Sequence, residues 1–241
     1  RLVKYGQGLA SVDAITIAPG FASMYRGAAL RSVEMNPPGL VIEDFNMTFE
    51  IHRRRLGRIA FHPKAAVART QDPATLREYS RQVRRWALGF WQTIRLHRLW
   101  HPGVFWFALC LYCAELVSSA IALVAAAAVI LLALAVHAID GAGAWLALPG
   151  WLPSTGSLLL AVIVPDLLLT CTVALGQRRL AFLVAAPAYP FLRLLDAWMC
   201  LAALARSGRT TSTGRWTSPT RRPNIPSAAP TTTTPTVGGC P

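Results

Sequence analysis

Residues 104–138, VFWFALCLYCAELVSSAIALVAAAAVILLALAVHA, run for 35 residues with one ionised side chain, Glu115. A stretch this long and apolar on every side has no place on the surface of a soluble domain, and about 20 such residues cross a bilayer. It reads as one long tilted helix with an interfacial start, or as two short passes. Two later stretches share its character. SLLLAVIVPDLLLTCTVALG (157–176) carries Pro165 and Asp166, and the run 180–205 is interrupted by Pro187 and Pro190 and carries Arg193 and Asp196. A charge at the centre of a bilayer costs about 2.5–3.5 kcal/mol or more, so Glu115, Asp166 and Asp196 are expected to line a polar path or to bond between helices.

Charge is segregated from this apolar half. The net charge is +13, and 22 of the 24 basic residues are arginine. Residues 1–101 are mixed and polar, while 206–241 contain no acidic residue. A soluble nucleic-acid binder shares the charge but not a chain that is 54% hydrophobic with a mean hydropathy of +0.40, so no nucleic-acid partner is expected. The positive-inside rule puts the N-terminal part, QRR (177–179) and the arginine-rich tail in the cytoplasm of a multi-pass plasma-membrane protein. That requires an even number of crossings, and a re-entrant, Pro-broken 180–205 segment satisfies it. The cysteines at 110, 113, 171, 200 and 240 are scattered and imply no disulfide framework; Cys110 and Cys113 read as small apolar residues.

The N-terminal half alternates short elements. AITIA (14–18), RIAFHP (58–63) and AAVART (65–70) have strand character, GAALRSV is a short helix, and NPPG (36–39) is a breaker. LVIEDFNMTFEIHRRRLG reads as a helix on the spacing of Phe45, Phe49, His52 and Leu56, ended by Gly57. Asp72-Pro73 opens a second helix running to about residue 98, with Asp72 as N-cap. On it Leu76, Tyr79, Val83, Trp86, Phe90 and Ile94 form an apolar stripe, and Gln82, Arg85, Gly89 and Gln92 a polar one beside it. A basic amphipathic helix with aromatics suits the headgroup region of an anionic membrane. Two glutamines and a glycine in register with an arginine need a further reason. His52, His62, His97 and His101 lack ligand spacing and read as packed or solvated.

IEDFNMTFEIHRRRLGRIAFHPKA followed by QVRRW resembles the processive family 2 glycosyltransferases, the membrane synthases of cellulose, hyaluronan, chitin and poly-N-acetylglucosamine. Their pattern is an acidic E-D pair at a helix start, then a Q-x-x-R-W about forty residues on, then membrane helices; here these are Glu43-Asp44 and Gln82, Arg85 and Trp86. APGFASMYR, with Gly20 and Ser23, occupies the place of the family's acceptor-side loop, whose commoner form is glycine-threonine. GRWTSPTRR (214–222) is similar to a cytoplasmic tail segment of some members.

The resemblance implies a GT-A-type α/β catalytic domain joined to membrane helices. Residues 1–73 are expected to be the C-terminal part of that domain and 74–101 an amphipathic interface helix. Residues 102–205 would be the transmembrane region, and 206–241 a disordered basic tail. It implies inverting transfer of a sugar from a nucleotide sugar, usually a UDP-sugar, to a growing polysaccharide or glycolipid, with coupled export. By similarity Asp44 is the general base, with Glu43 orienting it or touching the acceptor. Arg85 offers a planar two-pronged donor for the leaving diphosphate. Gln82 can hold a sugar hydroxyl or the nucleotide, and Trp86 presents a flat face to the acceptor ring. Partners are then a nucleotide-sugar donor, a glycan or lipid-linked acceptor, membrane lipids and accessory synthase subunits. The family's divalent cation, Mg²⁺ or Mn²⁺, needs oxygen ligands. The acidic residues of 1–41 are Asp13 and Glu34, with no D-x-D, so its ligands are expected upstream of this chain. The chain reads as a fragment, inactive alone. A degenerate scaffold, a transporter subunit and a single-sugar glycolipid transferase are the rival readings.

Overall fold

The computed structural model describes residues 9–18, 23–35, 37–61, 73–140, 155–176, 178 and 180–210. After a helical turn at 9–11 come α1 (Gly27–Ser32), α2 (Glu43–Arg54), α3 (Leu76–His97), α4 (Val104–Asp140) and α5 (Thr155–Gly176). A short α6 (Ala181–Ala185) and a 3₁₀ turn (Ala186–Ala188) lead into α7 (Tyr189–Arg206).

Among the described residues no β-strand forms, which corrects the expectation for 14–18. Ala14, Ile15, Thr16 and Ala18 are all buried, so their backbone groups need partners, and these are not a neighbouring strand. The segment gives its backbone groups to helices instead. The Ala18 amide donates to Thr48 Oγ1 (3.0 Å), and His52 Nε2 bonds the Ile15 carbonyl (3.0 Å). Residues 58–61 are likewise irregular; 62–70, with His62, lie outside the described residues.

Helix α2 starts at Glu43, so both acids sit in its first turn, where the helix dipole favours negative charge. It ends two residues earlier than Gly57 suggests, because Arg55 takes the left-handed conformation (φ 52°) and its amide reaches back to Ile51 and His52. Helix α3 also starts later than expected. Its N-cap is Thr75, not Asp72: Thr75 Oγ1 accepts from the Glu78 amide (3.2 Å), and Glu78 Oε2 reaches back to the Ala74 amide (2.9 Å). The T-x-x-E spacing of a capping box outweighed the Asp-Pro signal. Asp72 itself lies outside the described residues.

The apolar run is one continuous helix, not a hairpin. At 1.5 Å per residue, the 37 residues of α4 extend about 55 Å, well beyond a hydrocarbon core of about 30 Å. Two helical stretches are long and apolar enough to cross a membrane, Val104–Leu132 (mean hydropathy 2.4) and Ala181–Arg206 (1.3); α5 adds a shorter apolar stretch, Ile163–Gly176. The prolines at 187 and 190 leave 180–206 helical, with Pro187 in the 3₁₀ turn and Pro190 in the first turn of α7, where a missing amide is tolerated. Leu131, Leu132, Leu160, Leu168, Leu169 and Phe191 all point outward, an apolar surface too large for water.

The main core lies where α2, α3, α4 and α7 meet. Phe49, Phe90, Trp91, Ile94, Phe105, Trp106, Leu109 and Ala203 are buried together, and Phe49 is edge-on to both Phe105 (5.4 Å) and Trp106 (5.9 Å). Such pairs add about 0.5–1.5 kcal/mol beyond the area they bury. The helix that begins with Glu43-Asp44 is thus wedged between the Q-x-x-R-W helix and the first membrane-length helix.

Candidate active site

The polar stripe of α3 is the line on which the approach to α2 is docked. The Val41 amide donates to Gln92 Oε1 (3.2 Å). One turn back, a Cβ on Gly89 would lie 2.8 Å from Ile42 Cγ1 and 2.9 Å from its Cβ, so only glycine admits Ile42 here. Phe45 meets Phe90 edge-on (5.2 Å). Residues 41 and 42 immediately precede Glu43-Asp44, while Gly89 follows Arg85 by one helical turn, about 6 Å. The residues flanking the acidic pair therefore pack on the turns of α3 that follow Arg85 and Trp86.

Gln92 is a clamp rather than a ligand. Its amide nitrogen donates to the Thr210 carbonyl (2.9 Å), so one buried side chain ties the segment before α2 to the segment after α7. Arg95 reaches Ser207 (3.4 Å), and the Tyr79 hydroxyl donates to the Asp196 carboxylate (2.8 and 2.9 Å). Residues 79 and 95 of α3 thus face 196 and 207 of the α7 arm, and the two run side by side in the same direction. Asp196 makes the bond between helices that its cost at depth called for; Glu115 is exposed.

Asp44 is half-buried and Glu43 exposed. Burial raises the Tyr25 phenol pKa; the Ser23 side chain lowers it, and the Asp44 charge raises it further. Ser23, Tyr25 and Asp44 are therefore neighbours, and the phenol stays protonated at neutral pH. Gly20 lies outside the described residues; Ala18 is tied to α2, its amide donating to Thr48 Oγ1, which donates to the Asp44 carbonyl (2.8 Å). Gln82 and Arg85 are partly buried, and Trp86 is 48% exposed. The apolar stripe accordingly splits: Phe90 and Ile94 enter the core, whereas Leu76 and Trp86 stay open. Arg85 lines an open groove of about 690 Å³ with Val41, Arg77, Arg81, Arg84 and Leu88.

Behind the site lies a buried polar network. Asn46 Nδ2 donates to the Glu34 carbonyl (2.9 Å), leaving Asn46 Oδ1 to accept from His97 Nε2 (2.7 Å). His97 Nδ1 lies 3.6 Å from Glu50, which also pairs with Arg53 (3.2 Å) and Arg54. Burial, then the charges of Arg53, His101 and Arg54, pushes the His97 pKa down from 6.5 to about 4. The folded protein thus refuses a proton that the unfolded chain accepts between these values. Stability from this group is complete above about pH 6.5 and is lost as pH falls toward 4. Denaturation midpoints across that window should fall with pH in the wild type and fall less in His97→Gln; equal slopes would reject the assignment.

Sequence reasoning missed Tyr25, the Ile42–Gly89 contact and the clamp role of Gln92, although Gly89 and Gln92 stood on the stripe that held the signal. Among the described residues no group of three His, Cys, Asp or Glu side chains could hold a metal ion.

Comparison with known families gives a match to the glycosyl transferase family group 2 over residues 4–139. Nothing among curated proteins or solved structures matches. The match runs from before APGFASMYR, through E-D and Q-x-x-R-W, into α4, and covers more than half of the chain; the chain belongs to the family 2 glycosyltransferases.

Proposed function

We propose that this chain carries the general base and the acceptor floor of an inverting, membrane-embedded sugar transferase. The donor is a UDP-sugar and the acceptor a growing polysaccharide or lipid-linked glycan at the cytoplasmic face, with export coupled to synthesis. Family membership supplies sugar transfer from a nucleotide sugar to an acceptor. The observation that supports the finer reading is the docking of Val41 and Ile42 on Gln92 and Gly89, which brings the residues just before Glu43 against the helical turns that follow Arg85 and Trp86.

Inversion needs an acceptor hydroxyl to attack the anomeric carbon opposite the nucleotide while a carboxylate takes its proton. Asp44 is that carboxylate. Glu43, more exposed, contacts the acceptor, and Ser23 with the Gly20 loop forms the wall on the acceptor side. Arg85 binds the departing diphosphate, Gln82 one turn away holds donor or sugar hydroxyls, and the open face of Trp86 stacks on the acceptor ring. The two membrane-length helices hold this floor at the bilayer, where the product leaves.

Arg85 and Trp86 should separate donor from acceptor in the complete protein. Losing a hydrogen bond to a charged group costs about 1.5–3 kcal/mol, so Arg85→Gln should weaken UDP binding by about 10- to 100-fold. Trp86→Ala should leave UDP affinity near wild type and shorten or slow the glycan product. Equal UDP affinity in Arg85→Gln and wild type would reject the diphosphate role.

A further inference from the structure

Every buried residue of α3 lies between 89 and 97. Residues 76–88, which carry Gln82, Arg85 and Trp86, are half-buried or exposed throughout. The core therefore grips one end of the helix and leaves the motif on the other, an arm of about 20 Å. The boundary falls at Gly89. Glycine favours helix less than any residue but proline, so the arm meets the core where the helix is softest. A tilt of about 6° there moves Gln82 by about 1 Å, and a misplacement of that size is enough to cost about 10²-fold in rate.

Tyr79 ties this arm to another helix. Its hydroxyl lies 2.8 and 2.9 Å from the two carboxylate oxygens of Asp196 on α7, and both residues are half-buried. Neighbouring polar groups of the arm bond locally: Ser80 Oγ donates to the Leu76 carbonyl (2.7 Å), and Glu78 closes the N-terminal cap on Ala74. Apolar contact is non-directional and lets two helices slide or tilt, whereas a charge-assisted bond fixes a distance. At the core end, α3 is tied to the segment after α7 through Gln92 and Thr210 (2.9 Å) and through Arg95 and Ser207 (3.4 Å). Gln82, Arg85 and Trp86 thus lie between two sets of polar ties, with Tyr79 at the outer one.

We infer that Asp196 is a positioning residue for sugar transfer: through the Tyr79 hydroxyl it braces the outer half of α3 and holds Gln82, Arg85 and Trp86 where the reaction needs them. The inference rests on the proposed function for the roles of those three residues. Asp196 itself touches neither donor nor acceptor and acts through a bond made 117 residues away in the chain. A carboxylate kept in a stretch with a mean hydropathy of 1.3 thereby has a use in the site as well as in the packing.

The test uses the complete protein in phosphatidylcholine nanodiscs and follows amide hydrogen exchange together with UDP affinity. Tyr79→Phe removes one hydroxyl and leaves the ring. It should speed exchange across 76–88 about 10-fold, the effect of losing one hydrogen bond to a charged group. UDP affinity should fall about 3-fold, as the fraction of molecules with the arm in place falls. Asp196→Asn still offers the phenol an acceptor and should stay close to wild type, while Asp196→Leu should match Tyr79→Phe. Tyr79→Phe with Asp196→Leu should be no worse than either alone, because both remove the same bond. Unchanged exchange over 76–88 in Tyr79→Phe overturns the brace. A greater loss of UDP affinity in Asp196→Asn than in Tyr79→Phe overturns it in favour of direct contact between Asp196 and the ligand. Faster exchange with full UDP affinity reduces the bond to a stabilising one and overturns the positioning role, provided that Arg85→Gln loses affinity. If Arg85→Gln also keeps full affinity, the diphosphate role fails while the faster exchange upholds the brace.

Discussion

Asp44→Asn in the complete protein should lower sugar transfer by at least about 10²-fold while UDP binding persists. The substitution keeps the size of the side chain and removes the proton acceptor. Its cost to folding is small: a negative charge in the first turn of a helix is worth about 0.3–1 kcal/mol, and the helix remains anchored by Phe49 in the core. The basic role is the one the proposed function assigns to Asp44. Tyr25, whose phenol burial keeps protonated, and Ser23 lie beside it on the loop expected to face the acceptor. Glu43→Gln, at the more exposed position, should cost less than Asp44→Asn. Single-turnover transfer with a parallel UDP titration separates the outcomes. Turnover near wild type in Asp44→Asn rejects the base; loss of both turnover and UDP binding shows a structural role instead.

What the sequence made legible was local. The start of α2 at its two acids, the long basic helix and the apolar runs each follow from spacing and composition within twenty or so residues, and α2 and the two membrane-length stretches appear close to where periodicity puts them. The misses have a common physical origin in contacts between distant residues. Segment 14–18 looked like a strand because it is short and apolar, but it is buried against α2 with its backbone bonded to Thr48 and His52. Nothing near Tyr79 announces a bond to Asp196, which lies 117 residues away. The polar stripe on α3 was visible, yet its meaning was only half so. Arg85 fits the anion-binding role proposed for it, but Gly89 and Gln92 serve the fold, admitting Ile42 and clamping residues 41 and 210. A stripe of functional and structural residues in alternation cannot be divided by sequence spacing, because both kinds must face the same side of the helix.

Gly89 is therefore where the geometry of the site is most sensitive to a residue that touches no substrate. In Gly89→Ala the new methyl meets Ile42 Cγ1 at 2.8 Å, its Cβ at 2.9 Å and its Cδ1 at 3.0 Å, all closer than side chains tolerate. These atoms stand at the root of a branched side chain, so α2 and its approach must shift rather than a flexible tip. Overpacking of this kind costs about 1–3 kcal/mol of stability. The larger effect should fall on chemistry: displacing Glu43 and Asp44 from Arg85 and Trp86 by about 1 Å is enough to lower transfer about 10²-fold. UDP affinity should hold, since Arg85 stays on its own helix. The proposed cause has its own control. Ile42→Ala removes two of the three contacting atoms and Ile42→Gly all three, so in the Gly89→Ala background transfer should recover partly with alanine and further with glycine. Gly89→Ala turnover equal to wild type, or no recovery with either partner change, would show that the close approach of Ile42 to α3 does not set the distance between the base and the Q-x-x-R-W motif.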